Sequence, residues 1–592
     1  MQRADLDGQD GQMVRKPEGR RSLPVIGNLK SRSSDDERAI MDELRRFETE
    51  QRAALGLGSA RAHFTDPNPQ HFTRAQRPKT TVLVGGLTIA HDYLISATLA
   101  GLGYRVETLD NPDNSALQLG KEFGNRGQCN PTYFNVGNLV KRLQELREKG
   151  QSAKQIVDGY VFVMPGACGP CRFGSYVTEY RKALRDAGFD GFRVLLFQQQ
   201  GGFQQVTGDD PGLDLNPTFF VSLLFAIMVG DAVNAIGYRM RPYEVQPGAT
   251  DAALADCKRT LADMLRNRSN PVIALLACRR RLATVEVDRT QIKPKVAVIG
   301  EFWAMTTEGD GNYGLQRFLE SEGAEVDIQI VTNWVLYNIW EHTWDTRQRM
   351  LLRTDDKANK GLAGVHAQQK LATLWLADKA LRVAFKSIAG ILGLHDYYMP
   401  DMDEVAEEAR ELYNNHLRGG EGHMEVGKLV MNVKHKKATM TLSVKPFGCM
   451  PSSGVSDGVQ SYVTERWPSA IFLPIETSGD GAVNVYSRIL MMLFRARTAA
   501  SAEFAQTCQQ YGVTPEEVRQ FVYKNRRFAS PFFWPRHRVA TTASDLVHEV
   551  APYMKDPLAS VKQIGQRVLR FFSRAAAGSQ QTADMPTSVP AT

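Results

Sequence analysis

Three stretches of this chain repeat one grammar, an apolar strand, a turn, an amphipathic helix and a second strand, and that grammar restricts the fold to layered α/β architectures. Thr81 to Val84 reads as a strand, the Gly85-Gly86 turn follows, a helix runs to Leu102-Gly103, and Tyr104 to Leu109 is the next strand. Tyr160 to Met164, a helix from Ser175 to Gly188 and Phe192 to Phe197 repeat the unit. Lys295 to Gly300, a loop through Gly311, a helix ending at Gly323 and Ala324 to Val331 repeat it again. Strands that alternate with helices pair in parallel, and such sheets present their functional loops at the strand carboxyl ends. The expected fold is therefore α/β, with two Rossmann-like lobes of mostly parallel sheet.

The first lobe is drawn over 79–293 and the second over 294–500, with a helical insertion at about 345–418 whose apolar faces carry Leu371, Leu374, Trp375, Leu381, Phe385 and Ile388. Leu442 to Phe447 and Ala470 to Ile475 supply further strands of the second lobe. A polar extension occupies 1–78, with a helix expected over Asp36 to Leu55; a helical segment covers 501–575, and 576–592 reads as a disordered tail.

Phe219 to Tyr238 is apolar over about the ~20 residues that a membrane span requires. Asp231 and Asn234 fall inside it, and a charge in lipid is costly, so a buried core helix is the better reading and no membrane association is expected. No apolar run follows the basic residues of the N-terminus, so no signal peptide is expected. The net charge of +7 is spread over 72 basic and 65 acidic residues, a mild bias that does not mark a nucleic-acid binder.

Seven cysteines are too few and too scattered for a disulfide framework, which places the chain in a reducing, cytoplasmic setting. Four of them share one design: Cys129-Asn130-Pro131, Cys168-Gly169-Pro170-Cys171 and Cys449-Met450-Pro451. A proline two residues after the sulfur fixes φ and removes a backbone donor, so each turn holds its thiol with little residual freedom. Rigidly held thiolates suit an iron-sulfur centre, and Cys129, Cys168, Cys171 and Cys449 are the candidate ligands, gathered from both lobes at their cleft. Cys257, Cys278 and Cys508 lack the proline and are assigned to the core. Because CGPC between a strand and a helix is also the thioredoxin arrangement, dithiol redox chemistry stays open as an alternative.

Two polar loops could serve acid/base work. One carries Glu301, Thr306, Thr307, Glu308 and Asn312; the other is Glu421-Gly422-His423-Met424-Glu425. Glu308, Glu421 and His423 are taken as the catalytic candidates. Lys428, Lys434, Lys436 and Lys437 read as a solvated face, while Arg126, Arg172, Arg241 and Arg317 could meet phosphates. No G-x-x-x-x-G-K-[ST] and no strand-turn G-x-G-x-x-G occurs, so nucleotide binding by this chain is unsupported.

Gly85 to Thr88, the run Gly120-Lys121-Glu122-Phe123-Gly124-Asn125 to Gln128-Cys129-Asn130-Pro131-Thr132-Tyr133-Phe134, and Gly166 to Gly174 resemble the 2-hydroxyacyl-CoA dehydratase and benzoyl-CoA reductase superfamily, and most closely its activase-related large proteins. Arg241 to Glu244, Gly300-Glu301 with Asn312-Tyr313 and Leu319-Glu320, and Pro446 to Pro451 are similar to the same group, so the resemblance spans about 80 to 500. It implies two lobes around a 4Fe-4S cluster held by Cys129, Cys168, Cys171 and Cys449. A double-cubane cluster would need more thiolates than these four. It further implies an ATP-dependent activator protein with an actin-like ATPase fold, an acyl-CoA-like substrate, and an electron delivered to a thioester carbonyl for reduction or radical dehydration, in a homo- or hetero-oligomer. A non-catalytic electron relay or regulatory homologue is the alternative that the same ligands allow.

Overall fold

The computed structural model describes residues 34–56, 72–166, 171–197, 211–352, 362, 365–417 and 420–555. Cys168 and the tail 576–592 lie outside the described residues. Two compact units divide the chain, Met1–Pro67 and Asn68–Thr592. In the first, the helix Ser34–Ala54 covers the stretch from Asp36 to Leu55 that the sequence marks as helical.

The second unit contains two sheets of four strands each, all parallel. β1 (Thr81–Val84), β2 (Arg105–Thr108), β3 (Tyr160–Pro165) and β4 (Arg193–Phe197) run in the order β2-β1-β3-β4. β5 (Lys295–Gly300), β6 (Glu325–Ile328), β7 (Met440–Pro446) and β8 (Phe472–Thr477) run in the order β6-β5-β7-β8. The α/β expectation is met, and each sheet falls inside the span drawn for its lobe. The boundary at 500 instead cuts the long helix Ala482–Tyr511, which continues through it.

β5 and β7 are buried along their whole length, as expected of central parallel strands covered on both faces. β8 is an edge strand, and there Pro474 removes no hydrogen bond that a further neighbour would need. The insertion is helical as read, through Val331–Leu351, Ala367–Leu392 and Met402–Ala409. A short helix, Phe302–Thr306, forms directly after β5 in place of a plain loop. The Glu301 side chain caps it by accepting from Ala304 N at 2.8 Å, which satisfies a donor that a helix start leaves without a partner.

The lobes interlock through side chains. Leu117 and Phe134, from helices that follow β2, are fully buried in the core of the second sheet, with the Phe134 and Trp303 rings 5.5 Å apart. The apolar helix Pro217–Met240 is long and apolar enough to cross a membrane by length and composition. It serves as an internal strut instead, supplying Ala226, Val229, Ala232, Val233 and Ile236 to the largest core cluster.

Asp231 on that strut is 1 % exposed and fully engaged. Its carboxylate accepts from Val331 N at 2.7 Å, from Thr332 N at 2.7 Å and from Thr332 Oγ1 at 2.6 Å. These bonds satisfy the N-terminus of the helix Val331–Leu351, where a negative charge is also favoured by the helix dipole. Its other partner is His91 Nε2 at 3.2 Å, from the helix Ile89–Gly101 of the first lobe. Gly230 makes this approach feasible, since a Cβ there would sit 2.5 Å from the His91 ring. Burial works to lower the His91 pKa, but the hydrogen bond and charge of Asp231 outweigh it and the net shift is upward.

Asp231→Ala leaves two buried backbone donors and the Thr332 hydroxyl without their acceptor, and takes the carboxylate from His91 Nε2, which keeps the Ile227 carbonyl 3.2 Å away. We expect a loss of about 3–5 kcal/mol in denaturant unfolding. His91 has a raised folded pKa, so its contribution is complete below its unfolded value of about 6.5 and fades as the pH rises through the higher folded value. An Asp231→Ala penalty that stays constant across that window would exclude charge pairing with His91.

Candidate functional site

Open parallel sheets bind ligands where strand order reverses, in the crevice beyond the carboxyl ends. In the first sheet that point lies between β1 and β3, and in the second between β5 and β7. Cys171 follows β3, Cys449 follows β7 and Glu301 follows β5 directly. Cys129 lies just before the second of the three helices between β2 and β3.

Cys129 is the N-cap residue of the helix Asn130–Glu148, with Pro131 in its first turn, and Cys449 holds the same place before Met450–Gly454 with Pro451. The proline therefore sits where a helix start lacks a partner for its N–H anyway. A hydroxyl three residues on turns back to each sulfur. Thr132 Oγ1 lies 3.1 Å from Cys129 Sγ, and Ser452 Oγ lies 3.3 Å from Cys449 Sγ. Tyr176 OH is a second neighbour of Cys129 Sγ at 3.2 Å.

The two turns touch. Asn130 N donates to Phe447 O at 3.0 Å, and Asn130 Nδ2 donates to Thr477 O at 3.0 Å. Gly448 has φ +78°, and a Cβ on it would lie 3.2 Å from Cys129 Cα. Cys171 belongs to the same neighbourhood. Buried Glu179 accepts from Asn125 N, Asn125 Nδ2 and Gln128 Nε2 at 3.1, 2.8 and 3.0 Å, which fastens the loop before Cys129 to the helix that follows Cys171. Arg172 also donates to Gly127 O.

Three carboxyl groups surround these thiols. Burial pushes the Cys171 thiol up to about 12, and the nearby charges of Glu421 and Glu301 add to the shift. Cys449 is raised as well, by burial first and then by Glu301. Glu425 is 1 % exposed, and burial raises it to about 7; its Oε1 accepts from Ser452 Oγ at 2.7 Å, while Oε2 has no partner. Glu421 is raised by burial and by the charges of Glu301 and Glu425, although Trp334 Nε1 donates to it at 3.0 Å. Burial raises Glu301 too. Such a nest favours protons over charge. Beside it lies a cavity of ≈ 10 Å³, lined by Glu421, Glu425, Lys428, Gln329 and apolar side chains. That is room for about one water.

The catalytic candidates part company here. Glu421 joins the nest. His423 is buried between Tyr337 and Trp340, with ring centroids 4.8 and 4.6 Å away, and burial depresses it to about 3, so it stays neutral. Glu308 accepts from Ile89 N at 2.7 Å and so satisfies the head of the helix Ile89–Gly101. Glu301 and Glu425 take the places beside the thiols. The sequence singles out their loops, but not which of their residues face the sulfurs. Thr132 and Ser452 do carry a signal, because both turns read Cys-x-Pro followed by a hydroxyl residue.

Lys428 corrects the solvated-face reading, since it is half-buried, hydrogen-bonds Gln329 Oε1 and is pushed down to about 8 by burial. Arg241 pairs with Glu320 at 2.8 Å, and both Arg241 and Arg317 pair with Asp251 at 2.9 Å, so these two arginines are structural. Cys257 and Cys278 face each other in the helical core, their sulfurs 3.6 and 3.7 Å from the other's carbonyl oxygen, and Cys508 is buried under the C-terminal helices.

Among the described residues, no three His, Cys, Asp or Glu side chains are placed to hold a single metal ion. No family model and no curated protein matches the chain.

Two substitutions probe the site. Gly448→Ala, with both strained φ and a tight Cys129 contact, should cost about 1–3 kcal/mol and speed modification of Cys129 and Cys449 by a thiol reagent. Glu425 binds its proton more tightly folded than unfolded, so its contribution falls as the pH rises from about 4.3 toward 7. Glu425→Gln should flatten the decline in unfolding free energy between pH 5 and pH 8; an unchanged slope would place that titration elsewhere.

Proposed function

We propose that this chain is an iron-sulfur protein of the 2-hydroxyacyl-CoA dehydratase type, cytoplasmic, with Cys129, Cys171 and Cys449 as ligands and Cys168 as the fourth. The observation that carries this reading is the contact of the Cys129 and Cys449 turns across two sheets, with Cys171 in electrostatic reach of Cys129. Thiols drawn from three distant segments, buried or half-buried and unpaired by disulfides, form a soft donor set. When bound, a 4Fe-4S cluster would supply a low-potential electron for an acyl-CoA-like thioester, primed by a separate ATP-dependent activator.

The chain's own residues would then manage protons and polarity. Thr132 and Tyr176 can donate hydroxyl hydrogen bonds to the Cys129 sulfur, a lever on cluster potential, while Ser452 accepts from Cys449 Sγ and donates its own proton to Glu425. Glu425, raised to about 7, holds a proton that its unpartnered Oε2 can carry, and Glu421 shares the cavity with it. A protonated carboxyl can donate to a substrate oxygen, and once ionised it can take a proton back. Burial of these acids also limits the negative charge gathered beside a reduced centre.

The water-sized cavity favours one second reading, an electron relay without a substrate chamber. Pockets for small-molecule ligands are larger by more than a factor of ten. Anaerobic purification with iron and sulfide analysis, and electron paramagnetic resonance after reduction, tests both. Near four irons per chain is expected, falling by half or more in Cys129→Ala and in Cys449→Ala. Full iron in both variants would remove the inter-sheet site. Iron with no perturbation of the spectrum by any acyl-CoA would leave the relay.

A further inference from the structure

The helix Gly422–Lys434 ends in three more basic residues, His435, Lys436 and Lys437, and the chain returns about a hundred residues later to set His537 and Arg538 opposite them. Together with Tyr398, Glu404 and Lys434 these side chains line an open cleft of ≈ 610 Å³. That volume is within the range that small ligands fill. Its permanent charges are four cations, Lys434, Lys436, Lys437 and Arg538, against one carboxylate, Glu404.

Several of these groups are fixed in place. His537 Nε2 hydrogen-bonds His435 O at 3.0 Å and pins the two walls together. Lys437 holds its ammonium 3.9 Å over the Tyr398 ring, and Tyr398 OH donates to Glu404 at 3.0 Å. Glu408 lies against Lys434 and His435, and Asp545 accepts from Arg538 N while its other oxygen lies 3.6 Å from His537. That leaves Lys436 on one wall and Arg538 on the other, neither in an ion pair among the described residues. Lys436 also adopts a left-handed backbone, with φ 49°. It does so at a helix end, where glycine is the usual occupant.

We propose that this cleft binds a small anion carrying two linked phosphate groups, one engaged by Lys436 and Lys437 and the other by Arg538. The surplus cations sit in a concavity, which concentrates their field. Glu404, Glu408 and Asp545 around it oppose an extended polyanion such as nucleic acid. This site is separate from the thiol nest and does not depend on the function proposed for it.

Inorganic pyrophosphate is the probe, titrated calorimetrically into the full-length protein, with sulfate at matched ionic strength as control. Saturable binding at one site per chain is expected, at least tenfold tighter than sulfate. Lys436→Gly and Arg538→Ala should each weaken it about fivefold or more. Lys436→Gly relieves the left-handed lysine, so its melting temperature should not fall, which separates loss of binding from loss of fold. Pyrophosphate held no more tightly than sulfate, an adventitious ion only, would overturn the proposal, as would unchanged affinity in Lys436→Gly.

Discussion

A single buried carboxylate, Asp231, holds the helical layer to both lobes. It stands on a strongly apolar helix, yet it bonds two backbone donors at a helix start, a threonine hydroxyl and the His91 ring. A charge in that position is tolerable only because it is fully paired, and losing a partner costs more than the pair contributes. The same pairing explains how a segment with the composition of a membrane span works as the axle of a compact α/β unit.

Electrostatic tension at the thiol site is the counterpart of that satisfied pair. Cys129, Cys171 and Cys449 meet among Glu301, Glu421 and Glu425, groups that all become negative on losing a proton, and Lys428 is the one cation among the cavity's lining residues. Burial removes the solvent that would screen them, so the nest retains protons until something positive arrives. The cluster proposed above would be such a partner, because the charge of its irons would stabilise thiolates that burial alone disfavours.

Much of the framework was legible in the chain. β1 and β5 end where strand-like runs meet glycine, and the Cys-x-Pro turns lie at helix starts because proline suits the first turn. What escaped were facts of partnership. Glu308 and Glu421 are alike as loop acids, and only the packed structure sends one to a helix N-terminus and the other to the thiols. His423 looked reactive beside two acids, but helical geometry turned it into an aromatic stack. Lys428 belongs to a lysine-rich stretch whose solvated character holds only toward and beyond the helix end, where the backbone leaves the core. The helix Ala482–Tyr511 runs through the limit drawn at 500 because it has no glycine or proline to stop it there.

The two sheets share one strand order, so the segments after β3 and β7 are topological equivalents, and each delivers a cysteine. The segments after β1 and β5 are equivalents too, but they have diverged. Both cap a helix, one with Thr88 and the other with Glu301, but only the second brings a carboxyl group near the thiols. A scaffold doubled in this way can keep a matched pair of sulfur-bearing arms while its other pair is free to differ, so the two halves grip alike and act differently.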